Sequence, residues 1–563
     1  MKILLLHCDY IKFKALKKAL KSAEELSEKE KKEQEVKEAL VVLTAVEKGD
    51  SKASVKLYVD NIKDVASQVK AKNIVLYPYA HLSKNLSSPD VAVEVLKEAE
   101  KALEKERYKV SRAPFGYYKE FELKVKGHPL SELSREIHVS GSESDEDYDP
   151  KKILNEISRS RLDTSKLKDN DHRILGQQMD LYSFNEVAPG MVFWHNNGLI
   201  IRNAMIDFWR EVHRKQGYQE ISTPQIMDKR LWQVSGHWDK YKENNFLTHY
   251  ENKPYIVKPM NCPGGMLVYR SSTKSYKDLP LRVGELGLVH RQELSGVLGG
   301  LFRVVQFTQD DAHLFCTEEQ VEDEISRIID LIGFFYDKFN LPYRVELSTR
   351  PEKRIGTNEM WDKAEKLLEK VLKKKKMDFK LNPGDGAFYG PKIDFHVKDS
   401  LNREWQCGTI QLDFSMPERF ELEYIDKDNK RKRPIMIHRT VYGSLERFIG
   451  ILVEHYNGRF PVWMAPTQVR VMSFTERNVK YSEQVVKKLE EELPNLRLDV
   501  DFKDDPIPGK VKDAELMRIP YIIVVGDKEE KEKSVAVRSH GKVKTVKLDD
   551  FVKNLKKEIT ERL

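Results

Sequence analysis

The 563-residue chain is predicted to be a multidomain protein of mixed α+β and α/β class. Two observations point to α/β modules at the ends: residues 1 to 138 and 465 to 563 both alternate short β-branched runs with amphipathic helical patterns. A third points to a larger α+β module between them, because residues 181 to 464 carry more aromatics and Gly/Pro turns, with long strand candidates between helices. One core does not hold this length, since domains commonly run about 100 to 200 residues.

In chain order, KILLLHC, ALVVLTAV and NIVLYPY read as strands, separated by helical patterns around Ile62 to Val69 and Val91 to Leu103, and FELKV closes the first module. The opening run MKILLLHC is too short before charges resume to serve as a signal-peptide core, and reads as the first strand. VSGSESDEDYDP, residues 139 to 150, is acidic, Ser-rich and aperiodic, which predicts a flexible linker within a connecting segment that runs to 180. After MAPTQ, the strands VRVMSF, LRLDVDF and PYIIVVGD alternate with a helix through Val485 to Leu493 and a Lys-rich final helix.

Cysteines at 8, 262, 316 and 407 form no paired framework, so a reducing compartment, by default the cytoplasm, is expected. No run of about 18 apolar residues occurs, which excludes a helical membrane span. Lys and Arg number 97 against 90 Asp and Glu, a net charge of +7 that permits a polyanionic partner without requiring one.

The middle module holds the chemistry. FTQDDAHLF, residues 307 to 315, reads as a strand that projects Phe307, Gln309, Asp311, His313 and Phe315 together. A carboxamide, a carboxylate and an imidazole on one face suggest a functional cluster. HRQELSGVLGGLFRVVQF reads as two strands joined by a Gly-rich loop, with Arg291 and Glu293 on the first and Arg303 on the second. That is either a charged hairpin edge or an arginine clamp for phosphate oxygens. PIMIHRTVYGSLERFIGILVEHY turns from strand to helix near Gly443 and leaves Arg447 on the side facing either solvent or a cleft. Cys262, in the Pro/Gly-rich turn KPMNCPGGML, is a buried thiol, a nucleophile or a metal ligand.

These motifs together resemble class II aminoacyl-tRNA synthetases, HRQE matching the second class motif and GSLERF the third. The first, a long helix followed by a strand and a fixed proline, matches GLIIRNAMIDFWREVHRKQGYQEISTPQ, with Pro224 as the proline. MNCPGG, FTQDDAH, AFYGPKIDF, WQCGTIQLDF and MIHR are similar to the threonine-specific signatures of archaeal-type threonyl-tRNA synthetases, and the resemblance spans the chain apart from the acidic linker.

The resemblance implies a D-aminoacyl-tRNA deacylase-like editing domain, a class II antiparallel-sheet catalytic core and a class IIa α/β anticodon-binding domain. It implies one Zn²⁺ on Cys262, His313 and His438, which are separated by 51 and 125 residues, spacings that no local zinc finger has. Three protein ligands leave a position for the amine and hydroxyl of L-threonine, which excludes valine. Met260, Gln309, Asp311, Tyr389 and Gln411 are implied to complete the threonine pocket, with Asp311 receiving the ammonium.

For ATP with Mg²⁺, the resemblance implies Arg291 on the α-phosphate, Glu293 on the adenine side, Arg303 and Arg447 on the remaining phosphates and ring, and Gln406 and Lys392 nearby. His237, in SGHWDKY, matches a histidine near the tRNA terminus; as a lone residue it could equally be structural. Cys8, Cys316 and Cys407 read as core.

Serine lacks only one methyl relative to threonine, a difference worth about 1 to 3 kcal/mol, so a second, hydrolytic site is useful. In the first module, YPYAHLSK, FGYYKEF and GHPLSEL bring the implied editing residues His81, Tyr118, Lys119, His128 and Glu132. The bland alternative is a surface Lys119–Glu132 pair and a turn-capping His81. In the third module, Glu529 and Arg538 are implied to approach anticodon bases. The expected function is ATP-dependent charging of tRNA(Thr) with hydrolysis of Ser-tRNA(Thr), by a cytoplasmic homodimer that packs through the first motif. The alternatives are a non-catalytic tRNA-binding paralogue, whose signature would be loss of Arg291, Arg447 or a metal ligand, and charging of another amino acid such as proline or serine. All the signature residues are present.

Overall fold

The computed structural model describes the chain except for residues 21–22, 29, 84, 138–153, 155–166, 239–244 and 252. The acidic linker at 139 to 150 lies outside the described residues. The chain divides into two compact units, Met1–Ile153 and Leu154–Leu563.

The first unit is built on a six-stranded sheet. Its long strand Lys2–Lys18 pairs antiparallel with Gln34–Ala45, Tyr117–Val125 and Glu132–Glu136. Asn73–Pro78 and Lys109–Arg112 extend the sheet in parallel from Gln34–Ala45. Residues 39 to 43 are apolar without alternation because both faces are covered: Leu40 and Val42 pack with Tyr58, Ile62, Val95 and Leu96 of the helices Lys52–Gln68 and Pro89–Lys105, whereas Val41 and Leu43 join Phe13, Val75 and Tyr77 opposite. A register shift between Ala15 and Lys17 bulges the long strand opposite Tyr118 and Lys119.

The second unit contains an eight-stranded sheet in the order Phe379–Asn382, Tyr343–Ser348, Lys392–Lys398, Glu404–Asp413, Ile435–Thr440, Gln306–Cys316, Leu281–His290 and Gln219–Glu220. The six inner strands are antiparallel and only the two edge strands add in parallel. The helices Asn196–Lys215, Val321–Lys338, Asn358–Lys374 and Leu445–His455 contribute the apolar stripe that covers one face, with Trp209, Phe335, Leu368 and Phe448 buried together.

Five strands ending in Lys542–Lys547 form the smaller C-terminal sheet, parallel from Leu498–Asp501 through Val469–Ser473 to Tyr521–Val525 and antiparallel beyond. The helices Val479–Glu492 and Leu548–Glu561 pack on it through Val485, Leu489, Phe551 and Leu555. After the last helix, Arg562 bonds Glu211 and its guanidinium carbon lies 5.0 Å from the centre of the Phe208 ring, tying this module to the long helix of the large sheet.

The hairpin expected for HRQELSGVLGGLFRVVQF is present, but its ladder ends at His290 and Gln306, so Arg291, Glu293 and Arg303 stand in the loop rather than on the strands. The backbone groups explain why. The Arg291 N–H still donates across the hairpin to Val305 O at 2.9 Å, but the Val305 N–H turns to Gly190 O rather than back to Arg291, so the ladder ends there.

Candidate active site

A cavity of about 530 Å³ opens on the face of the large sheet away from the helices that cover it. Strand alternation brings Gln309, Asp311 and His313 to its wall from Gln306–Cys316, Gln411 from Glu404–Asp413, and His438 from Ile435–Thr440, where His438 stands directly beside His313 in register. Met260 and Cys262 enter from the turn that opens the helix Cys262–Arg270, and Tyr389 and Lys392 from the segment leading into Lys392–Lys398.

The ligand atoms of Cys262, His313 and His438 all lie within 4.8 Å of one another and all three residues are buried. Their surroundings fit a cation. His438 Nε2 is 2.8 Å from Asp413 Oδ2, and a carboxylate only accepts, so Nε2 carries the proton and Nδ1 is left with its lone pair. Asp413 is itself fixed by the backbone N–H groups of Ser415 and Met416 at 2.8 and 2.9 Å. Burial, reinforced by His438 and Arg439, drives His313 well below its ordinary pKa and keeps it a neutral donor. Burial and the carboxylates of Asp311 and Asp413 push the Cys262 thiol well up, so a cation is what would hold its thiolate.

Beside this triad, Asp311 is half-buried and accepts from Asn261 Nδ2 at 2.7 Å, and desolvation raises its pKa. Tyr389 donates its hydroxyl to Gln411 Oε1 at 2.5 Å. On the other side, Arg291 donates to Pro259 O at 3.2 Å and Gln309 Oε1 at 3.3 Å, Arg303 bonds Glu293 at 2.9 Å, and Arg447 Nε reaches Phe302 O at 2.9 Å. Arg447 therefore faces the cleft. Ser444 caps its helix by accepting from the Arg447 N–H. The turn before the helix requires Gly443: its φ is +76°, and a Cβ there would lie 2.5 Å from Cys407 O. Gln406 donates to Asp394 at 2.6 Å, and Lys392 pairs with Asp394 and Asp385.

His237 is buried at 1% exposure, bonded to Ser235 and edge-on to Phe388, rather than in the cavity wall. Burial lowers its pKa to about 3, so it is neutral at any physiological pH. Cys8, Cys316 and Cys407 are buried, as expected of core residues.

Sequence reading passed over Asn261, Asp413 and Asp310. The doublet Asp310–Asp311 was the available signal, because alternation must send one carboxylate to each face. On the covered face, Asp310 accepts from the backbone N–H groups of Val441, Tyr442 and Gly443 at 2.9 to 3.0 Å and from Trp209 Nε1 at 3.1 Å. Burial lifts its pKa to about 7 against the opposing pull of Arg439 and these donors. Asp310→Ala leaves the donors unsatisfied, and we expect a loss of about 3 to 5 kcal/mol of stability, read from the denaturant midpoint.

In the first unit, a cavity of about 580 Å³ is lined by His81, Tyr118 and Lys119, with Tyr77, Tyr79 and Phe115. Lys119 Nζ donates to the carbonyls of Pro114 and Tyr117 at 2.9 and 3.2 Å and lies 5.1 Å from the centre of the Tyr77 ring. Burial pulls its pKa down to about 8. His81 sits in the turn Ala80–Leu82, edge-on to Tyr79. His128 and Glu132 are not in this wall. His128 Nε2 meets His7 Nδ1 at 2.8 Å, and Glu132 is opposite Leu6 on the long strand, whereas Lys119 is opposite Ala15. Nine residues of extended strand span roughly 30 Å, so register separates Glu132 from the cavity and from Lys119.

In the C-terminal module, Glu529 turns back to accept from the Gly526 N–H at 3.1 Å and caps the helix Asp527–Glu532, while Arg538 pairs with Glu515 at 3.1 Å. Among the described residues, no helix is long and apolar enough to cross a membrane.

Comparison with known proteins identifies the architecture. The family model for the tRNA synthetase class II core domain (G, H, P, S and T) matches residues 246–456, the Archaea-specific editing domain of threonyl-tRNA synthetase matches 1–137, and an anticodon binding domain matches 468–558. With its antiparallel sheet and arginine-lined cavity, the chain is therefore a class II aminoacyl-tRNA synthetase by fold. A solved structure of the RNA binding domain of threonyl-tRNA synthetase from Cryptosporidium parvum Iowa II superposes with a TM-score of 0.66 at 39% identity, covering 69% of this chain and 98% of that one. The chain belongs to the threonyl-tRNA synthetase family. The threonine–tRNA ligase of Caldanaerobacter subterraneus subsp. tengcongensis is 54% identical over 397 residues, 70% of this chain and 61% of that protein; the one from Desulforamulus reducens is 52% identical over 415 residues, 73% and 65%. The chain thus spans just under two thirds of the length of these curated relatives.

Proposed function

We propose that the chain is a threonine–tRNA ligase that activates L-threonine with ATP and transfers it to tRNA(Thr), and that its first unit hydrolyses Ser-tRNA(Thr). The observation that carries the reading is one cavity holding both the Cys262–His313–His438 cluster and three arginines, Arg291, Arg303 and Arg447. In it, a threonine carboxylate oxygen attacks the α-phosphorus of ATP, the bond to the bridging oxygen breaks, and pyrophosphate leaves. This chain contributes position and charge. Arg291, held by Pro259 and Gln309, faces the α-phosphate; Arg447, held by Phe302, and Arg303 take the outer phosphates and the ring, Arg303 exchanging its partner Glu293 for phosphate as Glu293 turns to the adenine side. Gln406 and Lys392 lie alongside, and Mg²⁺ accompanies the nucleotide.

Asp311 receives the ammonium group, with Met260, Gln309, Tyr389 and Gln411 around the side chain. Cys262, His313 and His438 would hold a Zn²⁺, which when bound would supply Lewis acidity toward the hydroxyl and amine of threonine. His237, neutral and buried, would act at the tRNA terminus only through a neighbour. In the first unit, His81, Tyr118 and Lys119 form the hydrolytic set, with His128 and Glu132 outside its wall. Glu529 and Arg538 mark the anticodon-facing surface. The family's homodimer would use the long helix and the segment around Pro224, where Leu199 and Ile226 are exposed. The cytoplasm, where translation takes place, is the expected location.

Pyrophosphate exchange with threonine, serine and valine, beside zinc content, tests the reading. The expected result is exchange with threonine, weaker exchange with serine and none with valine in zinc-loaded protein. Folded, zinc-loaded protein that gives no exchange would point to a non-catalytic tRNA-binding paralogue.

A further inference from the structure

The helix His172–Gln178 lies outside the cavity wall, yet its first residue is only 1% exposed. His172 Nδ1 is 2.7 Å from Glu454 Oε1, its backbone N–H donates to the same oxygen at 3.0 Å, and its Nε2 accepts the backbone N–H of Leu301 at 3.0 Å. An amide can only donate, so Nε2 is the unprotonated nitrogen and the proton sits on Nδ1 toward Glu454. Asp171, His172 and Glu454 have the composition of a metal cluster, but both imidazole nitrogens are already spent in hydrogen bonds.

Leu301 belongs to the loop that carries Arg303. Its neighbour Phe302 packs at a tilt against the His172 ring, 4.1 Å between centres, and stacks on Trp405 at 4.3 Å, and its carbonyl accepts from Arg447 Nε. Gly300 makes the approach possible: its φ is +54°, and a Cβ there would stand 2.2 Å from His172 Nε2. The anchor is itself fixed. Arg403 engages the other oxygen of Glu454, and the Tyr182 hydroxyl donates to His172 O at 2.6 Å.

We propose that His172 is a positioning residue for nucleotide binding: it clamps the loop at Leu301 and thereby sets Phe302, Arg303 and Arg447 against the phosphates. The proposal rests on reading the cavity as an ATP site. Glutamine places an acceptor where Nε2 stands, whereas asparagine keeps a donor toward Glu454 but cannot reach Leu301. The measurement is the Kd of Mg²⁺ with a non-hydrolysable ATP analogue on the full chain, by calorimetry, beside the KM for threonine. His172→Asn is expected to weaken nucleotide binding about tenfold, the scale of one buried hydrogen bond, and His172→Gln by no more than about threefold, with the threonine KM unchanged in both.

Equal weakening by asparagine and glutamine, or a parallel loss of nucleotide and threonine affinity with a lowered Tm, overturns the positioning role and assigns His172 to general stability. Unaltered protein that binds no nucleotide overturns the cavity reading, and this proposal with it.

Discussion

Cys262→Ala is expected to lower threonine-dependent pyrophosphate exchange by about 10³-fold or more and to remove the bound zinc, while the protein stays folded. The thiol sits at the start of the helix Cys262–Arg270, where Pro263 fixes the turn, and it is only 6% exposed. No other cysteine belongs to the cluster, so alanine leaves only two imidazoles, His313 and His438. The packing cost is small, because a sulfur atom fills little volume and its removal costs about 1 kcal/mol. Metal content and activity should therefore fall together with only a few degrees of change in Tm. A metal-free variant that still activates threonine would falsify the assignment of Cys262. Nucleotide binding supplies the internal control, since Arg291, Arg303 and Arg447 are untouched.

Lys119→Met is expected to leave threonine charging intact and to slow clearance of Ser-tRNA(Thr) by about 10²-fold, so that mischarged tRNA accumulates when serine is supplied. Methionine keeps much of the stem that packs near Tyr77 and removes the three N–H donors, two of which bond Pro114 and Tyr117. The remaining donor is what a substrate in this cavity would meet. Burial places the Lys119 pKa near 8, so the ammonium is present below that pH and lost above it. The ratio of wild-type to Lys119→Met clearance should decline as pH rises through about 8; taking the ratio cancels the faster background hydrolysis at high pH. The same shift makes folded stability rise from about pH 8 toward the unfolded lysine value, because the unfolded chain binds the extra proton over that interval. Clearance equal in the two proteins would remove Lys119 from the hydrolytic set.

Much of the fold was legible in local pattern. Alternation in Gln306–Cys316 assigned Gln309, Asp311 and His313 to one wall, and the change of period at Gly443 located both a strand end and a helix start. The metal cluster was not legible in spacing, because Cys262, His313 and His438 meet only through the pairing of strands far apart in the chain; resemblance supplied it, and geometry then brought the three together. The arginine loop was misplaced onto strands for a different reason. Its apolar and charged residues fit an extended pattern, but the Val305 N–H that would continue the hairpin ladder donates to Gly190, a distant partner that no local window contains. The motif GHPLSEL gave no hint of where Glu132 stands: strand pairing puts it opposite Leu6 of Lys2–Lys18, nine residues along that strand from the partner of Lys119.

The pairing of His313 with His438 also imposes an order on biosynthesis. A growing chain contains Cys262 long before the strand Ile435–Thr440 exists, and until that strand slots between Glu404–Asp413 and Gln306–Cys316 the thiol has one imidazole partner at most. The nascent protein therefore carries an incomplete ligand set through most of the synthesis of its catalytic module. Loading must follow assembly of the sheet, and a ribosome stalled before residue 438 presents a thiol open to oxidation rather than an occupied centre.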